Sequence, residues 1–384
     1  ASATVTGLTN GTAYVFRVSA VNAAGTGPAS ADSASVTPYT TPGAPTAVSG
    51  VGGNTQVALS WTAGGTGGSA VTDWVVEYSS DAGVSWTTFD DGTSVSASAT
   101  VTGLTNGTAY VFRVSAVNAA GTGVASANSA SVTPYTTPGA STSVVASPEN
   151  SGAVVSWTAP DSGGSTITGY KVTAEPGGAT CQTTDSTSCT VGGLTNGTAY
   201  TFSVVATNAA GNSEAATSAS VTPRTVPGAP TGLVGLVGDG EVLLGWTAPV
   251  DDGGDTVLDY VVEYSTGDGT GWVTIVDGVS AATALGWSGV SNGVDYTFRV
   301  SAVNAAGTGA ASEPSATLTP FGVPDSPASV VASGADASAV VSWSMPDFDG
   351  GSPVTGYRVE YSTDAGANWT VVIDDTASVD TSLV

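Results

Sequence analysis

The chain has 384 residues, which predicts more than one domain, and its composition is 41% hydrophobic, 7% aromatic and 10% charged. It carries 31 acidic and 6 basic residues and no histidine, giving a formal net charge of -25. This balance argues against nucleic acid or an anionic membrane surface as partners, and it excludes catalytic triads that use histidine as a base. Abundant Val, Thr, Ser and Gly are typical of strands and turns, so the composition predicts an all-β protein.

The chain repeats itself with a long period. ASATVTGLTNGTAYVFRVSAVNAAGTG at 1–27 returns unchanged at 97–123. A second motif, a Trp followed by a Gly-rich loop and a Val-rich segment, recurs at intervals of 96, 89 and 97 residues. Solenoid repeats are only about 20–50 residues long, whereas a two-sheet sandwich needs about 100. The repeats therefore predict a tandem array of β-sandwich domains.

Segments rich in proline and glycine mark the boundaries: TPYTTPGAP, TPYTTPGAS, TPRTVPGAP and TPFGVPDSP. Proline fixes φ and lacks an N–H donor, so each segment ends one strand and precedes an edge strand of the next domain. Such short linkers predict a semi-rigid, elongated array, like beads on a string. The predicted domains are a partial one at 1–40 (last strands), complete ones at 41–136, 137–225 and 226–321, and a partial one at 322–384 (first strands).

Two interpretations of the partial domains stay open. In one, the chain is a stretch of a longer array. In the other, the two partial domains complement each other between chains, head to tail, and build an open filament. Half a sandwich exposes an apolar face and open strand edges, which motivates the second interpretation.

Alternation of apolar and polar residues predicts seven strands within 41–136. The dipeptide Asn106-Gly107 predicts a tight turn before the sixth strand. The predicted strands are Thr46–Val51, Gln56–Thr62, Val71–Ser79, Val84–Phe89, Ala97–Thr102, Tyr110–Val117 and Ala125–Pro134.

Large aromatic residues at fixed positions in each repeat are the predicted core, because a small domain needs several of them to bury enough apolar area. The Trp residues end the second strand, and the Tyr residues begin the sixth. These core residues are Trp61, Trp157, Trp246, Trp343, Tyr14, Tyr110, Tyr200 and Tyr296.

The Trp of the second strand, an aromatic in the third, a Leu-then-Tyr pair around a corner and the NAAGTG turn together resemble the fibronectin type III family over essentially the whole chain. The resemblance implies an immunoglobulin-like sandwich with a Trp-centred core and a Tyr hydroxyl bonded back to the corner backbone. The segments GLTNGTAY and NAAGTG are further similar to those of repeat arrays in secreted and surface proteins of bacteria, especially actinobacteria.

Cys181 and Cys189 are separated by polar, turn-forming residues, which suits a bridge between neighbouring strands. A disulfide is favoured over a free pair, and it predicts an oxidising environment, extracellular or at the cell surface. The chain contains no run of about 18 apolar residues, so no membrane insertion is expected.

Three groups of residues are candidates for sites. Asp251, Asp252 and Asp255 lie in a Gly-rich loop, where they are interpreted as turn formers, with a weak calcium site as the alternative and no other metal expected. The arginine of YxFRV (Arg17, Arg113, Arg299) faces away from the core and is expected to pair with Glu77, Glu263 or Glu360 on the neighbouring strand. Trp86, Trp272 and Trp369 are interpreted as exposed, and they motivate sugar binding as an alternative to packing on the adjacent strand.

The sequence indicates no catalytic residue, enzyme activity or cofactor. It predicts a non-catalytic extracellular stalk, fibre or spacer of a bacterial surface or secreted protein, whose partners are neighbouring repeats or copies of itself. The alternatives are an adhesin-like module that binds a cell-surface glycan or protein, and the spacer of a large secreted hydrolase.

Overall fold

The computed structural model describes residues 1–267 and 270–383. Secondary structure in these residues consists of strands joined by turns and loops, which confirms the predicted all-β fold. The described part of the chain includes no helix long and apolar enough to span a membrane. The strands are β1 Ser19–Asn22, β2 Gly25–Ala29, β3 Thr46–Gly53, β4 Gln56–Thr62, β5 Asp73–Ser79, β6 Thr87–Phe89, β7 Ser98–Thr102, β8 Val111–Asn118, β9 Gly121–Thr122, β10 Thr142–Glu149, β11 Gly152–Thr158, β12 Gly169–Glu175, β13 Thr180–Thr183, β14 Ser188–Gly192, β15 Thr201–Asn208, β16 Gly211–Asn212, β17 Ala216–Thr217, β18 Thr231–Val237, β19 Val242–Thr247, β20 Asp259–Thr266, β21 Val273–Thr274, β22 Ala284–Trp287, β23 Tyr296–Asn304, β24 Gly307–Ala311, β25 Ala328–Ala335, β26 Ser338–Ser344, β27 Val359–Tyr361, β28 Thr370–Ile373 and β29 Ser382–Leu383.

The backbone divides into two compact units. The first comprises Ala1–Ala146, Val155–Val191 and Thr201–Ala219, and the second comprises Ser147–Val154, Gly192–Tyr200 and Ser220–Val384. The border runs through β10, β11 and β14, and the domain boundaries proposed from the sequence remain a prediction.

In the first unit, β3 to β9 form a sandwich, called the second sandwich below because β1 and β2 precede it. One sheet has the order β3-β4-β7 and the other β6-β5-β8-β9, all antiparallel. Side chains alternate between buried and exposed along β4, so Val57, Leu59 and Trp61 face the core. Trp61 packs edge-on against Trp74 of β5, with ring centroids 5.4 Å apart. The period-2 pattern thus places one Trp from each sheet at the centre of the core.

The prediction of a seventh strand at Ala125–Pro134 is wrong, because regular pairing ends at β9 and leaves one isolated bridge from Tyr110 to Val132. Serine hydroxyls replace backbone acceptors in this segment: Phe112 N donates to Ser129 Oγ at 3.0 Å, and Val114 N donates to Ser126 Oγ at 3.1 Å. These bonds satisfy the N–H groups of β8 without a regular ladder. Equivalent serine pairs lie in two other repeats, at Ser30 and Ser33 and at Ser312 and Ser315. In the third sandwich Ser218 accepts from Phe202 N, but Ser213 accepts from Ala206 N and Val204 pairs with Ala216 of β17.

The third sandwich, β10 to β17, contributes residues to both units. Its larger sheet has the order β13-β12-β15-β16, with β17 also pairing with β15. Cys181 of β13 and Cys189 of β14 are disulfide-bonded, with Cα atoms 6.2 Å apart, which confirms the predicted pairing.

Reducing this disulfide should destabilise the third sandwich by about 2 to 3 kcal/mol, because a short closed loop loses its restraint on the unfolded chain. Calorimetry with and without a thiol reductant would show one transition shifted and the others unchanged. Cys181→Ala/Cys189→Ala is the matched variant, and it should melt like the reduced protein. A reduced chain that melts like the oxidised one would contradict the expectation.

In the second unit, β18 to β24 form the fourth sandwich, with sheet orders β18-β19-β22 and β21-β20-β23-β24. Trp246 and Tyr260 of its core pack together as Trp61 and Trp74 do in the second sandwich, with ring centroids 5.3 Å apart. Trp287, which the sequence did not single out, adds ring contacts to Tyr264 at 4.6 Å and to Phe298 at 6.1 Å. The strands that follow form sheets β25-β26-β29 and β27-β28, around Trp343 and Tyr357.

The predicted core residues are buried, with one exception. Trp61, Trp157, Trp246, Trp343, Tyr110, Tyr200 and Tyr296 are all at most 8% exposed. Tyr14 is only partly buried, because the sheet of residues 1–40 is β1-β2 alone and no counterpart of β3 to β7 covers the ring. The Tyr hydroxyls accept corner N–H groups as the resemblance implied, at 3.0 Å from Thr9, 3.2 Å from Thr105, 3.1 Å from Thr195 and 3.0 Å from Ser291.

Candidate functional site: the joints between sandwiches

The tight turn before β8 is fixed to its own sandwich. Asn106 Oδ1 accepts from Thr55 N at 2.8 Å, and its Nδ2 donates to Asn54 Oδ1 at 2.9 Å, so the turn is bound to the β3–β4 hairpin. The next residue, Gly107, donates its N–H to Pro134 O at 2.9 Å. The start of the linker is therefore held against the turn. Asn196 and Asn292 make the same side-chain contacts within the second unit.

The linker after the second sandwich is also held by the loop that follows β11. Thr136 N donates to Gly163 O at 2.8 Å, and Gly139 N donates to Asp161 O at 2.9 Å. Asn208, at the end of β15, donates from Nδ2 to Thr136 O at 2.8 Å and to Ser162 O at 2.7 Å. A single buried amide thus connects the linker and the loop of the third sandwich. We call this set of contacts a joint.

A close backbone approach completes the joint. Gly164 has φ +89° and lies directly against the turn of the second sandwich. A Cβ atom there would collide with Gly107 N and would lie 2.9 Å from Asn106 C. Only glycine allows both this backbone conformation and this contact.

The same joint recurs along both units. Asn118 binds Thr40 O at 2.8 Å and Thr66 O at 2.9 Å, and Asn304 binds Thr225 O and Asp252 O, both at 2.8 Å. Glycine meets glycine at these three boundaries and also at a fourth, where no asparagine contact is recorded among the described residues. The pairs are Gly68 with Gly11, Gly164 with Gly107, Gly254 with Gly197, and Gly351 with Gly293. The Asn of each NAAG turn was interpreted from the sequence only as part of a turn, and its second role in the joint was missed.

The three aspartates proposed as a weak calcium site belong to one of these joints. Asp251 Oδ1 accepts from Gly253 N and Asp252 Oδ1 accepts from Gly254 N, both at 2.9 Å. Asp255 forms an ion pair with Arg224 of the preceding linker at 2.9 Å. Two carboxylates therefore shape the Gly-Gly loop, and the third binds it to the linker. Over residues 1–267 and 270–383, no group of three or more His, Cys, Asp or Glu is placed to hold a metal ion.

The predicted cross-strand ion pairs are confirmed on two sandwiches. Arg113 binds Glu77 through Nε at 2.7 Å and Nη2 at 3.1 Å, and Arg299 Nε binds Glu263 at 2.7 Å. The predicted pairing of Glu360 with this arginine position is wrong. Glu360 binds Arg358, two residues earlier, at 2.8 Å, because β27, which carries Glu360, pairs only with β28 among the described residues.

The interpretation of Trp86 and Trp272 as exposed residues is wrong. Each is partly buried beneath the arginine of its ion pair, with the guanidinium carbon 4.2 Å from the Trp86 centroid and 4.4 Å from that of Trp272. Cation–π stacking of this kind stabilises the edge of the sheet. Trp369 is 61% exposed, as predicted.

Two equivalent turns are held by an ionised aspartate. The hydroxyls of Ser79 and Ser85, both 2.6 Å away, hold the pKa of Asp81 well below its ordinary value. The Asn368 side chain, 2.6 Å away, lowers the pKa of Asp364 to about 2. A carboxylate whose pKa is lowered by folding stabilises its turn above about pH 4, and this contribution is lost as the pH falls through the folded-state value.

We therefore expect both turns to loosen below about pH 4 without general unfolding. Trp86, whose Nε1 donates to Gly83 O at 3.1 Å in the first turn, is a natural NMR probe of that loosening. Asp81→Asn should remove the pH dependence of the Trp86 signal and leave that of Trp369 in the equivalent turn. An unchanged titration of Trp86 in that variant would refute the assignment.

Comparisons with known proteins agree with this geometry. The family model "Fibronectin type III domain" matches residues 1–36, 41–132, 137–223 and 228–318. Among relatives, Exoglucanase B of Cellulomonas fimi is 35% identical over 300 residues, 72% of this chain and 26% of that protein. Chitinase A1 of Niallia circulans is 37% identical over 150 residues, 37% of this chain and 20% of that protein.

Myomesin-2 of Homo sapiens is 33% identical over 198 residues, 49% of this chain and 14% of that protein. The relatives therefore include bacterial enzymes and a human protein, and the chain spans about a quarter or less of each of their lengths. The four family-model matches, the paired sheets and the Tyr hydroxyls that accept corner N–H groups agree: the chain belongs to the fibronectin type III family.

Proposed function

We propose that this chain is a non-catalytic spacer, stalk or fibre segment of a secreted or surface protein of bacterial origin. The observation that carries the proposal is the joint, because the asparagine contacts recur at three boundaries and the close glycine approach recurs at four. Independent binding modules on flexible linkers do not need such contacts. The disulfide and the two bacterial hydrolases among the relatives support an extracellular location.

Deleting one complete repeat tests whether the chain acts as a spacer. Deleting residues 41–136 joins Thr40 to Thr137 and recreates the sequence TPYTTPGA, so the new boundary keeps its joint residues. We expect the shortened protein, in its parent polypeptide, to be secreted and folded, with its other domains fully active on soluble substrates. Deleting 60 to 107 instead falls out of register with the repeat and removes Trp61 with β5 to β7, so the second sandwich should not fold. Loss of activity on soluble substrates after the first deletion would count against a spacer.

A second candidate function, sugar binding by exposed Trp residues, retains support only from Trp369. Glycan-array binding that is lost in Trp369→Ala would favour it. Equal binding by the Trp369→Ala and unmodified proteins would remove its last support.

A further inference from the structure

Each of the four close glycine approaches includes an Asn-Gly turn, and this dipeptide can modify itself. The glycine nitrogen attacks the side-chain carbonyl carbon of the asparagine, since glycine has no side chain that would block the approach. A bond forms between these two atoms, the bond from that carbon to the side-chain nitrogen breaks, and ammonia leaves with the glycine N–H proton. Water then opens the cyclic imide to aspartate or isoaspartate. The four dipeptides are Asn10-Gly11, Asn106-Gly107, Asn196-Gly197 and Asn292-Gly293.

At Asn292 the reacting atoms are also the contact atoms of the fourth boundary. Gly293 N donates to Pro320 O at 2.9 Å. A Cβ atom on Gly351 would lie 2.9 Å from Asn292 C and from Gly293 Cα. The imide has no N–H, so its formation removes the hydrogen bond to Pro320 O. Isoaspartate lengthens the backbone by a methylene group where Gly351 leaves no room for it. Both species therefore open this contact.

A pair of hydrogen bonds, called the clamp below, restrains the Asn292 side chain. Its Oδ1 accepts from Gly240 N at 2.9 Å and its Nδ2 donates to Asp239 Oδ1 at 2.7 Å, so the amide is bound to the β18–β19 hairpin. The carbonyl carbon cannot turn toward Gly293 N until the clamp opens, which limits the reaction to moments of local opening. The exposed Asn10, whose side chain forms no hydrogen bond to another described residue, is an unclamped reference.

The clamp of Asn292 differs from its counterpart in the third sandwich in the chemistry of one partner. Asn196 Nδ2 donates to the amide oxygen of Asn150 at 2.9 Å, whereas Asp239 is a carboxylate and can only accept at neutral pH. An aspartate formed from Asn196 can still be bound, because the Asn150 amide can rotate and donate to it. An aspartate formed from Asn292 meets a second acceptor of like charge. A Cβ atom on Gly322 of the next linker would lie 2.9 Å from Asn292 Nδ2, which leaves little space for the repelled side chains.

We propose that Asn292 is a self-modification site, at which deamidation detaches the turn of the fourth sandwich from its hairpin and opens the glycine contact with the segment that follows. Water is the only co-reactant. The aspartate product at Asn196 is accommodated by the partner amide, whereas the product at Asn292 cannot form the clamp again. The inference goes beyond the spacer function and does not depend on it.

Hydrogen exchange of the Gly293 amide, measured in the whole chain, tests the structural part of the proposal. Asn292→Asp reproduces the aspartate product and should raise the exchange rate at least about tenfold, as expected for the loss of a hydrogen bond to a charged group. Asn196→Asp is the matched control and should leave the exchange of the Gly197 amide nearly unchanged. Asn292→Asp combined with Asp239→Asn exchanges donor and acceptor and should restore the native rate. The melting temperature of each variant reports whether it folds.

Ageing of the unmodified chain in oxygen-labelled water at mildly alkaline pH tests whether the reaction occurs. Peptide mapping should find label first at Asn10 and later at Asn292. Asp239→Ala removes one side of the clamp and should accelerate labelling of Asn292 but not of Asn196.

Three results would each overturn the proposal. The first is an aged chain in which Asn292 remains unlabelled, and the second is an Asp239→Ala chain that labels Asn292 no faster. The third is a failure of the exchange measurements, either because Asn292→Asp disturbs its turn no more than Asn196→Asp does, or because Asp239→Asn does not rescue it.

Discussion

Replacing Trp157 by alanine should lower the free energy of unfolding of the third sandwich by about 3 to 5 kcal/mol. The indole is 5% exposed, and its ring centroid lies 5.2 Å from that of Tyr170, so truncation leaves a cavity between the two sheets. A loss of this size shifts the melting temperature of a domain this small by more than about 10 °C. Calorimetry should show one transition moved and the others retained.

Two variants sharpen this result. Trp369→Ala makes the same substitution at a 61% exposed position and should change the unfolding free energy by less than about 0.5 kcal/mol. Trp157→Phe should cost less than Trp157→Ala, partly because it removes an indole N–H that has no partner in the core. If Trp157→Ala melts like the unmodified chain, the core assignment fails.

Replacing Gly164 by alanine should open the joint between the second and third sandwiches while both remain folded. The added methyl group meets the backbone of Asn106 and Gly107, and φ at this position is +89°. Strain of this kind costs about 1 to 3 kcal/mol and is relieved when the two surfaces separate. The signals of Asn208, whose amide binds Thr136 O at 2.8 Å, should report the change by NMR.

Gly103→Ala is the matched control for the joint. Gly103 has φ +77°, and a Cβ atom there would meet nothing within 4 Å, so it isolates backbone strain from the collision. We expect Gly103→Ala to lower stability without disturbing Asn208. Equal disturbance by both variants would show that backbone strain, and not the contact, is responsible.

Local alternation was sufficient to predict much of each sandwich. The strand predicted at Gln56–Thr62 has those same limits in the structure, because every second residue is buried and the pattern is uninterrupted. The burial of Trp61, Trp157, Trp246 and Trp343 followed from their fixed position in that pattern. Repetition added a second, independent signal, since the same residue type returned at each period.

The remaining features depend on residues far apart in sequence. The Asn118 amide donates to the backbone oxygen of Thr40, 78 residues earlier, and no local sequence pattern predicts that contact. Trp86 was misread because the arginine that covers it lies on another strand. The segment predicted as a seventh strand alternates suitably, but Ser126 and Ser129 accept the bonds that a regular strand would supply.

The central claim, that repeated joints restrain neighbouring sandwiches, can be tested by pulsed electron–electron double resonance. Spin labels at Thr88→Cys in the second sandwich and Glu214→Cys in the third occupy exposed positions of the first unit. We predict a single narrow distance distribution for this doubly labelled chain, and a broad one when Asn208→Ala and Gly164→Ala are added. A distribution that is already broad with the joint intact would contradict the account.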